Sequence, residues 1–162
     1  MIEPKYIIGD ATKPEGDSNR IICHCCNSVG LWGAGFVIAL SNKWPITRSE
    51  YIRWHKNKNG FELGSVQFVK VESDIVVANM IGQNGIKTTN GIPPIRYPAI
   101  SECLEKVASA ALKNNASVHF PYLMGSDLAG GKWEKIEAII KETICSKEIV
   151  VIIYDINNLR NN

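Results

Sequence analysis

Short apolar runs of strand length alternate along most of this chain with stretches whose apolar residues recur at helical spacing, and this alternation restricts the fold more than any other feature. Lys5 to Ile8, Arg20 to Cys25, Ser117 to Pro121 and Ile149 to Tyr154 read as strands. Ser65 to Val71 and Ile75 to Met80, joined by Glu72-Ser73-Asp74, read as an antiparallel hairpin. Helical spacing begins at Phe36, at Ile46 after Pro45, over Pro98 to Asn114 and from Trp133 to Ile144, while Gly82 to Pro94 is rich in Gly, Asn, Thr and Pro and reads as a loop. The pattern predicts an α/β fold, a mixed sheet of about six strands with helices on both faces.

A chain of 162 residues is long enough for one sizeable core, so a single domain over 1–162 is expected. The formal net charge of +2 is too small for an extended nucleic-acid footprint and suits a small anionic ligand better. No apolar run approaches the roughly 20 residues of a membrane span, and Met1 is followed by Glu3, Pro4 and Lys5 rather than by a secretory signal. A soluble cytoplasmic monomer is the expectation. The odd cysteine count of five, with Cys23, Cys25 and Cys26 crowded in one segment, favours a reducing compartment. On a strand, Cys23 and Cys25 would face away from His24 and Cys26. No second cluster completes a tetrahedral set, so no metal is expected.

Two glycine-bearing loops carry the functional signal: Gly30-Leu31-Trp32-Gly33-Ala34-Gly35, and Tyr122 to Gly131 with Gly125, Gly130 and Gly131. Each follows a strand and precedes a helix, where free backbone amides and the helix dipole attract anions. Glycine lets such a backbone approach a ligand closely. Two loops of this kind are suited to grip a diphosphate from both sides. The first has GxxGxG spacing after the second strand, which does not fit the dinucleotide fingerprint, and Gly130-Gly131-Lys132 lacks the spacing and the Ser/Thr of a phosphate-binding P-loop.

Gly9-Asp10-Ala11-Thr12, His24-Cys25-Cys26-Asn27 with the first glycine loop, Leu63-Gly64, Asn79 to Gln83, and Gly125-Ser126-Asp127-Leu128-Ala129-Gly130-Gly131-Lys132-Trp133-Glu134, taken in order, resemble the macrodomain family. The match runs over nearly the whole chain. It implies a three-layer α/β/α fold that binds ADP-ribose without a cofactor. Asn-Ser-Val-Gly-Leu-Trp-Gly-Ala-Gly and the aspartate of the second loop most resemble the branch that removes phosphate from ADP-ribose 1''-phosphate. Related branches cleave ADP-ribose from protein or nucleic acid, and other members only bind it.

The resemblance also implies residue roles. Asp10, flanked by Gly9 and Ala11, would accept a hydrogen bond from the adenine amino group; alone it reads as a turn or helix cap. Asn27 would contact the distal ribose, although by itself it is an ordinary turn residue. Gly30, Gly33, Ala34 and Gly35 would line that ribose and the phosphates, with Trp32 as a wall. Met124, Gly125, Ser126, Leu128, Ala129 and Gly130 would cradle the diphosphate. Asp127, a negative charge inside an anion-binding loop, is the leading catalytic candidate, with capping of the following helix as its alternative. His24 would assist at the terminal phosphate, or be a strand histidine bonded to a backbone carbonyl. Tyr154 or Asn157 would flank the adenine. His55 reads as lying on an exposed polar helix, His119 as buried in an apolar strand, and Trp44, Trp54 and Trp133 as packing residues. The branch that cleaves glutamyl ADP-ribose uses a lysine near the end of strand four; this chain has Gln83 there, with Lys87 four residues later.

Overall fold

The fold is described from a computed structural model, which covers residues 1–126 and 129–161. Along the chain run β1 (Lys5–Ile7), β2 (Asn19–Asn27), α1 (Phe36–Lys43), α2 (Ile46–Asn57), β3 (Val66–Glu72), β4 (Ile75–Gln83), α3 (Tyr97–Asn114), β5 (Ala116–Pro121), α4 (Trp133–Thr143) and β6 (Val151–Tyr154). The strands form one six-stranded sheet in the order β1-β6-β5-β2-β4-β3. Every neighbouring pair is parallel except β3 with β4, so the sheet is mixed, as the hairpin pattern predicts. Parallel strands cannot be joined by tight turns, and the crossovers supply the helices that cover the sheet.

The period-two alternation of β2 sorts its side chains between two cores. Ile21 and Cys23 join the α3 and α4 residues Ile100, Leu104, Val107, Ile136 and Ile140 on one face. Ile22 and Cys26 join Leu40 of α1, Trp44, and Tyr51 of α2 on the other. His24 lies on this second side, its ring edge-on to Trp32 with centroids 5.3 Å apart. The three-layer α/β/α arrangement follows directly. Among the described residues no helix is long and apolar enough to cross a membrane.

The central strands run further than their apolar patterns suggest. β2 continues to Asn27 and β4 to Gln83, because Cys26 pairs with Ile81 and, after a register shift, Asn27 pairs with Gln83. Gly82 is therefore a strand residue, not the start of a loop. A Cβ there would sit 2.3 Å from Ile100 Cδ1, so its glycine serves the close approach of α3 to the sheet. The lengthened strands carry the first loop and the 84–95 connector out past the same edge of the sheet.

Candidate functional site

The five parallel strands share one direction, so the loops after β1, β2, β4, β5 and β6 gather at their C-terminal ends, where open α/β sheets hold ligands. A cavity of about 880 Å³ opens there, within the range of small-molecule sites. Asp10 and Ala11 after β1, Gly30 and Trp32 to Gly35 after β2, and Met124, Gly125 and Ala129 after β5 all line it. His24, Asn27, Tyr154 and Asn157 line it as well. Gly9, Ser126 and Gly130 are not among its lining residues. The expected contributions of Asp127 and Leu128 lie outside the described residues.

The first loop is shaped by Asn27. Its Oδ1 accepts from the amides of Val29 and Leu31, both at 3.1 Å, and its Nδ2 donates to Leu31 O at 2.7 Å. The buried Tyr51 hydroxyl donates to Asn27 O at 2.6 Å, holding β2 against α2. The turn-residue alternative for Asn27 is thus realised: its amide builds the loop that surrounds the cavity. Beyond Leu31, the amides of residues 32 to 37 have no acceptor among the described residues. Gly35 starts α1 at φ 78° without a side-chain cap, and no acidic residue occupies the first turn. The positive end of the helix is left uncompensated beside the cavity, a setting that favours an anion.

The second loop folds tightly on itself. Gly131 donates its amide to Gly125 O at 2.9 Å, and a Cβ on Gly131 would lie 2.4 Å from that same oxygen. Gly130, at φ 76°, packs against Pro93, and Ala129 O accepts from the Ile95 amide at 3.0 Å. The 84–95 connector also reaches the first loop, since the Gly85 amide donates to Ser28 Oγ at 2.9 Å, beside the Ser28 amide's bond to Gln83 O of β4 at 3.0 Å. One segment supports both loops.

His24 lines the cavity from within β2. It is only 2% exposed, and its Nε2 meets Asn79 Oδ1 at 2.5 Å. Asn79 Nδ2 donates to Gln67 Oε1 at 3.0 Å and to Thr47 O at 3.2 Å, which fixes Oδ1 as the acceptor and His24 Nε2–H as the donor. Burial lowers the His24 pKa to about 4, only partly offset by the Asn79 hydrogen bond. The imidazole is held neutral, with its Nε2–H tip turned to Asn79. His24 is a buried wall of the cavity, bonded to a side-chain amide rather than to the expected backbone carbonyl.

Asp10 realises its capping alternative, with Oδ1 accepting from Thr12 N at 2.9 Å and Thr12 Oγ1 at 2.8 Å. Its Oδ2 makes no hydrogen bond among the described residues. Tyr154 is buried, and its hydroxyl is engaged within the protein: it accepts from Glu15 N in the loop after β1 at 2.8 Å and meets His119 Nδ1 at 2.7 Å. Only the ring is left for the cavity. His55 differs from the exposed residue expected: its half-buried ring packs where a Cβ on Gly30 would fall and stands edge-on to Phe61. Trp44 and Trp133 are buried and Trp54 packs against the α1/α2 core, as expected.

Several lining residues went unseen in the sequence. Arg48 and Ile52, one turn apart on α2, border the cavity. Their spacing was visible, but which face of α2 meets the first loop was not. Phe36, Ile86 and Asp155 also line it. Asp155 accepts from the Leu159 and Arg160 amides at 2.9 and 3.0 Å, so its charge is spent on the chain after β6. Gln83 lines the cavity at the end of β4 and accepts from Cys25 Sγ at 3.7 Å, whereas Lys87 is not among the lining residues. The Cys25 thiol is pushed up to about 12, chiefly by burial.

No family model matches the chain. A Danio rerio chromodomain-helicase-DNA-binding protein 1-like is 31% identical over 93% of this chain, which spans only 15% of that protein's length. An ADP-ribose 1''-phosphate phosphatase of Candida albicans is 27% identical, over 85% of this chain and 92% of the yeast protein. Among solved structures, a Bacteroides thetaiotaomicron protein of unknown function is 52% identical with a TM-score of 0.93, covering 95% of this chain and 98% of its own. A macrodomain protein from Streptomyces coelicolor is 44% identical with a TM-score of 0.85, over 94% of this chain and 99% of that one. Identity at that level over the full length of a macrodomain protein, on the same six-stranded fold, places this chain in the macrodomain family.

Proposed function

We propose that this chain binds ADP-ribose and hydrolyses ADP-ribose 1''-phosphate to ADP-ribose and inorganic phosphate. The observation that carries the reading is the first loop, which leaves a run of amides unpaired and a helix end uncapped beside a cavity that Met124, Gly125 and Ala129 of the second loop also line. A diphosphate fits between them. Asp10 Oδ2 is available to accept from an adenine amino group, with the Tyr154 ring and Asn157 beside it. The distal ribose then lies toward Asn27 and Trp32. The yeast phosphatase similar to this chain supports the terminal phosphate as the reacting group.

Among the described lining residues, every carboxylate or imidazole is partly or wholly committed to the protein: Asp10 to Thr12, Asp155 to the chain after β6, His24 to Asn79. Chemistry therefore falls to Asp127. As general base it takes a proton from water as the water oxygen bonds to phosphorus. The bond from phosphorus to the sugar oxygen breaks, and the proton returns to that leaving oxygen. Binding energy from the adenosine end orients the reacting end. A lysine-dependent route to protein-linked ADP-ribose is disfavoured, because Gln83 occupies the wall where that lysine would stand.

Calorimetry with ADP-ribose, together with phosphate release from ADP-ribose 1''-phosphate, tests the reading. Asp127→Ala should keep ADP-ribose binding and lose at least about a hundredfold in turnover. Wild-type turnover in that variant rejects the assignment of Asp127. Binding with neither phosphate release nor release of ADP-ribose from modified protein would make this a binding module, and no binding at all would reject the nucleotide reading.

A further inference from the structure

The charges around the cavity do not balance, and the imbalance has a direction. Among the described lining residues Arg48 is the single permanently cationic side chain. It is exposed and forms no ion pair among the described residues. The two carboxylates of the cavity form no ion pair with it and accept internal hydrogen bonds, Asp10 from Thr12 and Asp155 from Leu159 and Arg160. Nothing described neutralises the guanidinium.

Its backbone is held firmly. The carbonyl of Thr47, one residue before, accepts from the buried Asn79 amide at 3.2 Å, and Thr47 Oγ1 donates to Trp44 O at 2.8 Å. Tyr51, three residues on, is tied to Asn27, and its ring lies 5.5 Å from that of Trp32. Ile52, one turn beyond Arg48, borders the cavity, and His55 packs on Gly30. Positions 48, 51, 52 and 55 thus form the stripe of α2 that faces the first loop. A long cationic side chain on an anchored helix is set beside the loop that would enclose the distal sugar. The loop amides and the α1 end suffice for a diphosphate; a further cation is useful only if the ligand carries a further anion.

We propose that Arg48 is the specificity-determining cation of this site, recognising a second anionic group carried on the distal sugar of the bound diphosphate nucleotide. The inference rests on the nucleotide reading above and deepens it: the preferred ligand is the phosphorylated form over its phosphate-free product. Arginine suits the task, because its planar fork matches phosphate oxygens in a bidentate manner and stays charged at every working pH.

The test compares ADP, ADP-ribose and ADP-ribose 1''-phosphate on the wild type, Arg48→Gln and Arg48→Lys. Dissociation constants are taken at low temperature, with phosphate release monitored to verify ligand integrity. Arg48→Gln should weaken the 1''-phosphate ligand about tenfold or more, while ADP and ADP-ribose change less than about threefold. Arg48→Lys should recover part of the loss. The wild-type preference for the phosphorylated ligand should fall as salt is raised. Equal weakening of all three ligands would place the guanidinium on the diphosphate, and no change in any would remove it from the site. Either result overturns the proposal while leaving the nucleotide reading intact. Failure of the wild type to bind all three overturns both.

Discussion

Gly33 and Gly131 look alike in the sequence and do different work. A Cβ at Gly131 would be driven into the backbone of Gly125, 2.4 Å from its oxygen and 3.2 Å from its carbonyl carbon, and backbone cannot swing aside as a flexible side chain can. Gly33 has nothing within 4 Å of the same hypothetical carbon and no left-handed φ. Gly131→Ala should therefore open the second loop and destabilise the fold by about 1–3 kcal/mol, the usual cost of overpacking. Gly33→Ala should leave stability within about 0.5 kcal/mol of the wild type, as for substitutions into open space. Its effect should appear in ligand affinity, because the methyl group would occupy the approach to the loop amides. Urea unfolding and ADP-ribose calorimetry on the two variants separate these roles. An equal loss of stability in both would show that the first loop is as tightly packed as the second.

Among the secondary-structure elements, the connector between β4 and α3 explains what was legible in the sequence and what was not. Strands, helices and the hairpin announced themselves through periodicity, and both glycine loops through their composition. The connector read only as a polar loop, since its role comes from contacts distant in sequence. Arg96 shows why. Its Nη1 lies 2.5, 3.1 and 3.0 Å from the carbonyl oxygens of Pro93, Pro94 and Ile95, and its amide donates to Gly82 O at 2.9 Å. This curls residues 93–95 beneath the second loop, where Pro93 meets Gly130 and Ile95 meets Gly125 and Gly131. The partner of His24 is hidden for a similar reason: its strand position is visible, but Asn79 comes 55 residues later. Arg48 was hidden because the orientation of α2 is set by tertiary packing. Arg96→Met keeps the length of the side chain but removes its donors. It should raise amide exchange across 93–95 and the second loop and weaken ADP-ribose binding about threefold to tenfold, while exchange in α1 stays unchanged. Exchange rising equally in α1 would mean that Arg96 supports the fold generally and not this loop.

The whole molecule stores a pH dependence in its two buried histidines. His119 of β5 is held between Ser117 Oγ and Tyr154 OH, each at 2.7 Å, and His24 of β2 lies on the same face of the sheet against Asn79. Burial lowers both from the ordinary 6.5 to about 4, and the charge of Arg20 adds to the effect at His119. Above pH 6.5 neither the folded nor the unfolded chain holds these protons, so stability is at its full value. Between about 6.5 and 4 the unfolded chain binds protons that the folded one excludes, and the equilibrium moves toward unfolding. Stability should fall as the pH falls through that window, by about 2 kcal/mol per histidine at pH 5, taking 1.36 kcal/mol for each unit below 6.5. The urea midpoint should be lower at pH 5 than at pH 7.5 with the m-value unchanged. His119→Gln removes one titrating group while retaining hydrogen-bonding capacity, so the variant, although less stable at pH 7.5, should lose about half as much stability between the two pH values. An unchanged pH dependence in that variant would show that His119 takes up its proton without unfolding the sheet, and that Ser117 and Tyr154 accommodate the charged ring.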